Sequence, residues 1–163
     1  MTVRWLGTSS GLPTRDRGLS ALYVEVGGRA ILLDCGEGTQ NILMREGLSL
    51  AAIDAVCVTH IHGDHTFGLP GLYSTMWMLD RPLPPLIADP TVQTLLTTVG
   101  SIANGEEGAH SKVVLTPCHE VREVFRCAPR RHDEVRILTC SLKQRVPAMG
   151  FRVEGSRFNP PRV

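Results

Sequence analysis

The chain is 163 residues long, one domain's worth and enough to bury a single core. At 42% hydrophobic and 20% charged it has the composition of an ordinary soluble globular protein, which excludes a low-complexity chain. A net charge of +1 gives no global field to attract nucleic acid, and no apolar run approaches the length needed to cross a bilayer.

The five cysteines, Cys35, Cys57, Cys118, Cys127 and Cys140, are odd in number and form no Cys-x-x-Cys pair. No signal peptide precedes Val3, so a reducing cytoplasm is the expected compartment. The basic residues are almost all arginine, with lysine only at Lys112 and Lys143. Arginine suits bidentate phosphate contacts, but such usage is equally a compositional habit of a genome.

In chain order, residues 2–6 alternate as a strand and run into Gly7–Thr14, a loop rich in turn formers. Such a loop could cradle a phosphate with its N–H groups, although it lacks the lysine and spacing of a Walker A loop. Residues 19–26 are a second strand, Gly27-Gly28 a tight hairpin turn, and residues 29–33 a third strand. The segment Asp34-Cys35-Gly36-Glu37-Gly38-Thr39-Gln40 follows and has two readings. As plain structure it is a glycine turn in which Thr39 caps a helix through Leu43. As a site element it places Asp34 at a strand end, where a carboxylate can orient a metal-bound histidine from behind.

A short helix over 41–46 stops at Gly47, and Ser49 caps a further turn. Residues 56–59, β-branched or small and apolar, then read as a buried strand that leads into Thr59-His60-Ile61-His62-Gly63-Asp64-His65. Three of the chain's six histidines and one carboxylate fall within this short stretch. His60 and His62, two apart in an extended loop, can point the same way, and Gly63 lets the backbone bend before Asp64 and His65. Neutral imidazoles beside a carboxylate suit one zinc or a pair of metals. Two metals about 3.5–4 Å apart clamp the attacking and leaving oxygens of a hydrolysis. The bland alternative, a solvated histidine-rich loop, does not explain the clustering after an apolar strand.

Beyond the motif, residues 72–79 fit a helix in which Met76 and Met78 pack rather than ligate. A proline-rich break at 81–85, a strand at 86–88 and a helix from 91 to 102 behind Pro90 come next. Strands are expected at 113–115, 120–125, 135–140 and 149–154, with a polar loop at 104–110 and an exposed charged turn at 130–134. Arg122, Arg126, Arg130, Arg131 and Arg136 cluster loosely among acidic residues and read as a solvated face. Residues 155–163 look frayed. The expectation is one α/β domain over 1–163 with more strand than helix.

The strings Leu6-Gly7-Thr8-Ser9, Asp34-Cys35-Gly36-Glu37-Gly38-Thr39-Gln40, His60-Ile61-His62-Gly63-Asp64-His65 and Phe67-Gly68-Leu69-Pro70-Gly71 closely resemble those of ribonuclease Z. A looser match at Arg145-Val146-Pro147 and Gly150-Phe151-Arg152 extends the likeness over most of the chain. That family comprises the tRNA 3′-processing endonucleases of the metallo-β-lactamase superfamily. The resemblance is to its N-terminal half, and it implies the first half of an αβ/βα sandwich with a two-zinc site at one edge, manganese or iron also suiting such ligands. It implies that His60 and His62 hold one metal and that Asp64 and His65 hold the second. Asp64 would also be the catalytic proton acceptor, and Asp34 the orienting carboxylate. The implied reaction is hydrolysis of the phosphodiester after the discriminator nucleotide of a tRNA precursor, with a homodimer as the implied assembly.

Two departures stand out. Where the family carries a further histidine ligand, this chain has Gln144, a poor zinc ligand. The family chain also continues for about as long again, supplying a bridging carboxylate and a final histidine. Each metal therefore keeps two recognised ligands where catalytic zinc usually has three, and an apolar face is expected to lie exposed. His119 or His132 could swing in, but no spacing argument supports either. Three functional readings follow: the endoribonuclease, inactive or weak alone; a non-catalytic or regulatory half that pairs with a complementing chain; and another hydrolase on the same scaffold, acting on a cyclic nucleotide, a sulfate ester or a lactone.

Overall fold

The computed structural model describes residues 1–104, 113–115, 121–127, 133–143 and 145–157. A central sheet holds six strands in chain order: β1 (Thr2–Gly7), β2 (Ala21–Val26), β3 (Arg29–Leu33), β4 (Ile53–Cys57), β5 (Leu86–Ala88) and β6 (Val113–Leu115). The first three pair antiparallel, and β3 to β6 pair parallel. Parallel neighbours need long crossovers. These are supplied by α1 (Thr39–Arg45) and a 3₁₀ turn (Leu50–Ala52), by α2 (Gly63–Thr66) and α3 (Leu69–Met78), and by α4 (Pro90–Asn104).

A second sheet of three antiparallel strands, β7 (Arg122–Cys127), β8 (Asp133–Leu142) and β9 (Ala148–Arg157), lies on the other side. Alternation along the central strands divides the core in two. Leu6, Tyr23, Leu32, Val56 and Leu86 pack with Leu43, Leu72, Met76 and Val92 of the helices. Their neighbours Val24, Ile31, Ala55, Cys57 and Ile87 face Cys127, Val135 and Ile137 of the second sheet, backed by Phe151 and Val153. Being covered on both faces, β3 and β4 carry consecutive apolar residues, Ala30–Leu33 and Ala55–Cys57, rather than alternating ones, with Arg29 and Asp54 paired at their N-terminal ends. Burying each such Leu or Ile side chain contributes about 1.5–3 kcal/mol. The β2–β3 hairpin closes at Gly27 and Gly28, with φ of 57° and 74°, the left-handed pair a two-residue hairpin turn demands.

Most expected elements are present, with informative differences. Thr39 is the first residue of α1 rather than its cap: Gly38 holds the cap position, and the Thr39 hydroxyl donates to the Gly36 carbonyl at 2.7 Å. The strand before the motif starts earlier, at Ile53, because Ile53 already pairs with Ala30. Gly155–Arg157, expected to fray, extend β9 along Asp133–Val135, and an added Cβ on Gly155 would lie 2.4 Å from the Val26 side chain. The polar loop after Asn104, Arg130–His132 of the charged turn and residues 158–163 lie outside the described residues.

The outer face of the second sheet is charged, as the arginine cluster suggested. Arg126 binds Glu123 and Glu134, and Arg136 binds Glu123 and Glu154. Exposed apolar side chains include Val3 and Trp5 of edge strand β1, 48% and 70% exposed opposite Val24 and Leu22, and Trp77, Met78 and Leu79 at the end of α3.

Candidate metal centre

The motif occupies the loop that leaves the C-terminal end of β4, the usual place for a site in a parallel sheet. His60 forms an isolated bridge with Ala148, and the Met149 N–H donates to the Thr59 carbonyl at 2.8 Å, so β9 pins the loop from one side. The Thr66 hydroxyl donates to the carbonyls of Ile61 and His62, which ties α2 back onto the loop. From the other side the Cys35 N–H donates to the His65 carbonyl and the Gly68 N–H to the Cys35 carbonyl, at 2.8 and 2.9 Å. Gly36 and Gly68 are required by this crossing of two chain segments. A Cβ on Gly68 would stand 2.1 Å from the Gly36 carbonyl oxygen, and one on Gly36 2.5 Å from the Asp64 carbonyl oxygen.

Asp34 lies behind the histidines with a left-handed backbone, φ 60°, a strained state for a residue other than glycine. The surroundings hold it there. Its carboxylate accepts the Thr59 N–H at 2.7 Å, the Thr59 hydroxyl at 3.0 Å and the His65 Nδ1–H at 2.8 Å. Thr59 has one hydroxyl proton. Once that proton points to Asp34, the oxygen is left to accept from His60 Nδ1 at 3.0 Å. The network thus assigns Nδ1–H to both His60 and His65 and leaves the Nε2 lone pairs free.

Those lone pairs face two different partners. His60 Nε2 is 3.1 Å from His62 Nδ1, and His65 Nε2 is 3.5 Å from Asp64 Oδ2. Two donors on one tetrahedral zinc, each about 2.0–2.2 Å from it, lie roughly 3.3–3.5 Å apart. Donor chemistry therefore suits a metal at each pair; the spacing matches at His65 and Asp64, while His60 and His62 sit slightly closer, at hydrogen-bond distance. The donor number falls short: among the described residues no three His, Cys, Asp or Glu side chains are grouped to hold a metal ion. Gln144, His119 and His132 lie outside the described residues.

The shifts at His60 and Asp64 favour their ligating forms, whereas that at His65 favours the protonated ring, which would have to lose its proton to bind a metal. Burial, with the neighbouring His65 and His62 imidazoles, pushes His60 below its ordinary pKa and keeps it neutral. The hydrogen bond to Asp34 raises His65 against the opposing pull of burial. At Asp64 burial pulls upward, but the Gly11 N–H, donating to Oδ2 at 2.8 Å, and the nearby His65 outweigh it and hold the carboxyl below the usual range.

The Gly11 contact also corrects the reading of the first loop as a phosphate cradle. Thr8 and Ser9 donate their N–H groups to the Gly18 carbonyl, Leu12 donates to Ser10, and Gly11 donates to Asp64. The loop is a clamp on the Asp64 carboxylate instead. Thr59 and Gly11 were the site residues missed, and no spacing in the sequence marks either, because their partners are 25 and 53 positions away.

Beside Asp64 opens a cleft of about 450 Å³ lined by Leu12, Pro13, Glu37, His62, Asp64 and Phe67. It shares Pro13 and Glu37 with a groove of about 850 Å³ whose walls carry Arg4, Arg15, Arg17 and Arg45 together with the carboxylates Asp16, Glu37 and Glu46. Arg4 lies 3.8 Å from Glu25, and no ion pair joins Arg15, Arg17 or Arg45 to a carboxylate among the described residues.

Comparison with known proteins is consistent with this geometry. Residues 1–143 match the family model described as anti-Pycsar protein Apyc1. The ribonuclease Z of Salinibacter ruber is 41% identical over 97% of this chain and 50% of its own length. That of Alkaliphilus oremlandii is 33% identical over 93% of this chain and 50% of its own. The chain thus spans about half the length of the curated relatives it matches, and the likeness is to the N-terminal half of ribonuclease Z. Among solved structures, the short form of human tRNase Z superposes with a TM-score of 0.74 at 28% identity, covering 93% of this chain and 63% of that one. Zn²⁺-bound PqqB from Methylobacterium extorquens, at 18% identity, TM-score 0.59 and 93% and 61% coverage, shares the fold. That fold is the metallo-β-lactamase fold, of which this chain matches only about half.

Proposed function

This chain belongs to the family described as anti-Pycsar protein Apyc1, and from its likeness to ribonuclease Z and to the short form of human tRNase Z we propose that it is the amino-terminal half of a zinc-dependent endoribonuclease that matures the 3′ ends of tRNA precursors. The observation that carries the reading is the pairing of donors, His60 Nε2 with His62 Nδ1 and His65 Nε2 with Asp64 Oδ2. In this reading His60 and His62 hold one metal, Asp64 and His65 hold a second, and the remaining donors come from polypeptide outside the described residues. Zinc held there supplies Lewis acidity and lowers the pKa of its water to about 7.

The chain's own residues do the positioning. Asp34 fixes the His65 ring through Nδ1, Thr59 relays that carboxylate to His60, and Gly11 anchors Asp64. Asp64 is also the candidate proton acceptor, though a carboxyl held below its usual range serves better as a ligand than as a base. The arginine-lined groove next to the cleft suits the phosphates of an RNA strand. The reading places the protein in the cytoplasm; no helix among the described residues is long and apolar enough to cross a membrane.

The test is cleavage of a tRNA precursor by the zinc-loaded chain, alone and mixed with the separately produced carboxy-terminal half of the Salinibacter ruber relative. The expected outcome is 3′-end cleavage in the mixture and little by the chain alone. Hydrolysis of a lactone or a bis-aryl phosphate, with the precursor left intact, would move the chain to another hydrolase on the same scaffold. The lack of a three-donor group among the described residues favours a second reading, a non-catalytic half that pairs with another chain. That reading expects association with the complementing half and no cleavage of any of the three substrates.

A further inference from the structure

Two large apolar side chains stand exposed at the mouth of the cleft beside Asp64, although neither is loose. Phe67 is 61% exposed, yet its ring lies on the backbone of Gly63, where an added Cβ would come within 2.4–2.8 Å of three ring carbons. Leu12 is 78% exposed, yet its carbonyl accepts the Ser9 hydroxyl at 2.5 Å, its N–H donates to Ser10, and the preceding Gly11 is tied to Asp64. Both therefore hold their places through the segments that hold the metal ligand. Neither contributes to the two cores. Pro13 and Leu19 complete an apolar wall, and the titratable side chains that line the cleft with them are Glu37, Asp64 and His62.

That charge pattern decides what the cleft can take. Away from the metal-holding side chains the cleft offers a phosphate only the Glu37 carboxylate, whereas an apolar wall with a fixed aromatic ring accepts a flat, uncharged ring. Cations for phosphates lie in the neighbouring groove, where Arg4, Arg15, Arg17 and Arg45 are interspersed with Asp16, Glu37 and Glu46. Resting on the phosphodiesterase reading above, we propose that Phe67 and Leu12 form a nucleobase subsite, in which the base next to the scissile phosphodiester stacks on the Phe67 ring. Phe67 thereby acts as a specificity-determining residue: it recognises substrates that carry a base, whatever the identity of that base, because every nucleobase has a stacking face.

The experiment is an NMR titration of the chain with AMP and, separately, with ribose 5-phosphate, repeated for Phe67→Leu and Phe67→Tyr. Stacking is expected to make AMP bind at least about fivefold more tightly than ribose 5-phosphate and to shift the Phe67 ring protons upfield. Phe67→Leu, at an exposed position that leaves the core intact, removes the preference; Phe67→Tyr retains it. Equal binding of the two ligands, or a preference that survives Phe67→Leu, overturns the subsite while leaving the phosphodiesterase reading standing. Failure of AMP to bind overturns the subsite, while the phosphodiesterase reading is judged separately by cleavage of the tRNA precursor in the mixture with the complementing half.

Discussion

At the scale of single residues, the centre depends on a few contacts that reach far along the chain. Thr59 is the clearest case, since its one hydroxyl joins Asp34 to His60. Thr59→Val keeps the shape and removes that relay. We expect zinc affinity to fall by about tenfold or more, as for other partners of metal-bound histidines, with thermal stability little changed. Competition against a chelator measures this, and an unchanged affinity would remove Thr59 from the account. Gly68→Ala tests the crossing of the two loops: its Cβ would collide with the Gly36 carbonyl 2.1 Å away. A loss of about 2–3 kcal/mol or more in urea unfolding is expected, and a neutral result would mean that the loops have room to separate. The thiols differ in the same local way. Burial pushes Cys35 up to about 12 and Cys57 higher still, while Cys140 is partly exposed. Of these three, an alkylating reagent at neutral pH should label Cys140 alone, read by peptide mass spectrometry, because the thiolate is the reactive form.

At the scale of elements, the division between core and surface sets the energetics. Ile31 is fully buried between the two sheets, whereas Glu154 joins Arg136 and Arg152 on the outer face of the second sheet. Ile31→Ala should cost about 2–5 kcal/mol and Glu154→Gln less than about 1 kcal/mol. Denaturant unfolding of the two variants checks the ranking, and the reverse order would mean that charge rather than packing holds the sheets together. Elements with a strong pattern were legible in the sequence. Arg29–Leu33 and Leu86–Ala88 are apolar runs between turn signals, and Gly27-Gly28 names its own turn. The misses have a common cause. Thr39 looked like a cap, but Gly38 can adopt the left-handed state and takes that position. Gly155–Arg157 looked frayed because their apolar partner, Val26, lies on another sheet and leaves no local period. The same holds at the site: spacing marks the proposed ligands His60, His62, Asp64 and His65, but the hydrogen bonds that aim them come from Asp34 after β3, from Thr59 and from the first loop.

At the scale of the whole molecule, the chain is half of a fold with a paired but incomplete donor set. The central sheet is covered on one face by helices and on the other by three strands, and Val3 and Trp5 remain exposed on β1 beyond them. The donors form two pairs and no group of three among the described residues. These features belong together if the remaining half of a ribonuclease Z-like protein covers the apolar edge and completes both pairs. The claim that each pair holds its own metal is the centre of this account. Native mass spectrometry of the folded chain and of His62→Ala, titrated with zinc to the same free concentration, tests it most directly. The account predicts two zinc ions on the chain and one on the variant, because Asp64 and His65 remain in place. A folded chain that takes up no zinc, or a variant that still takes up two, would contradict it.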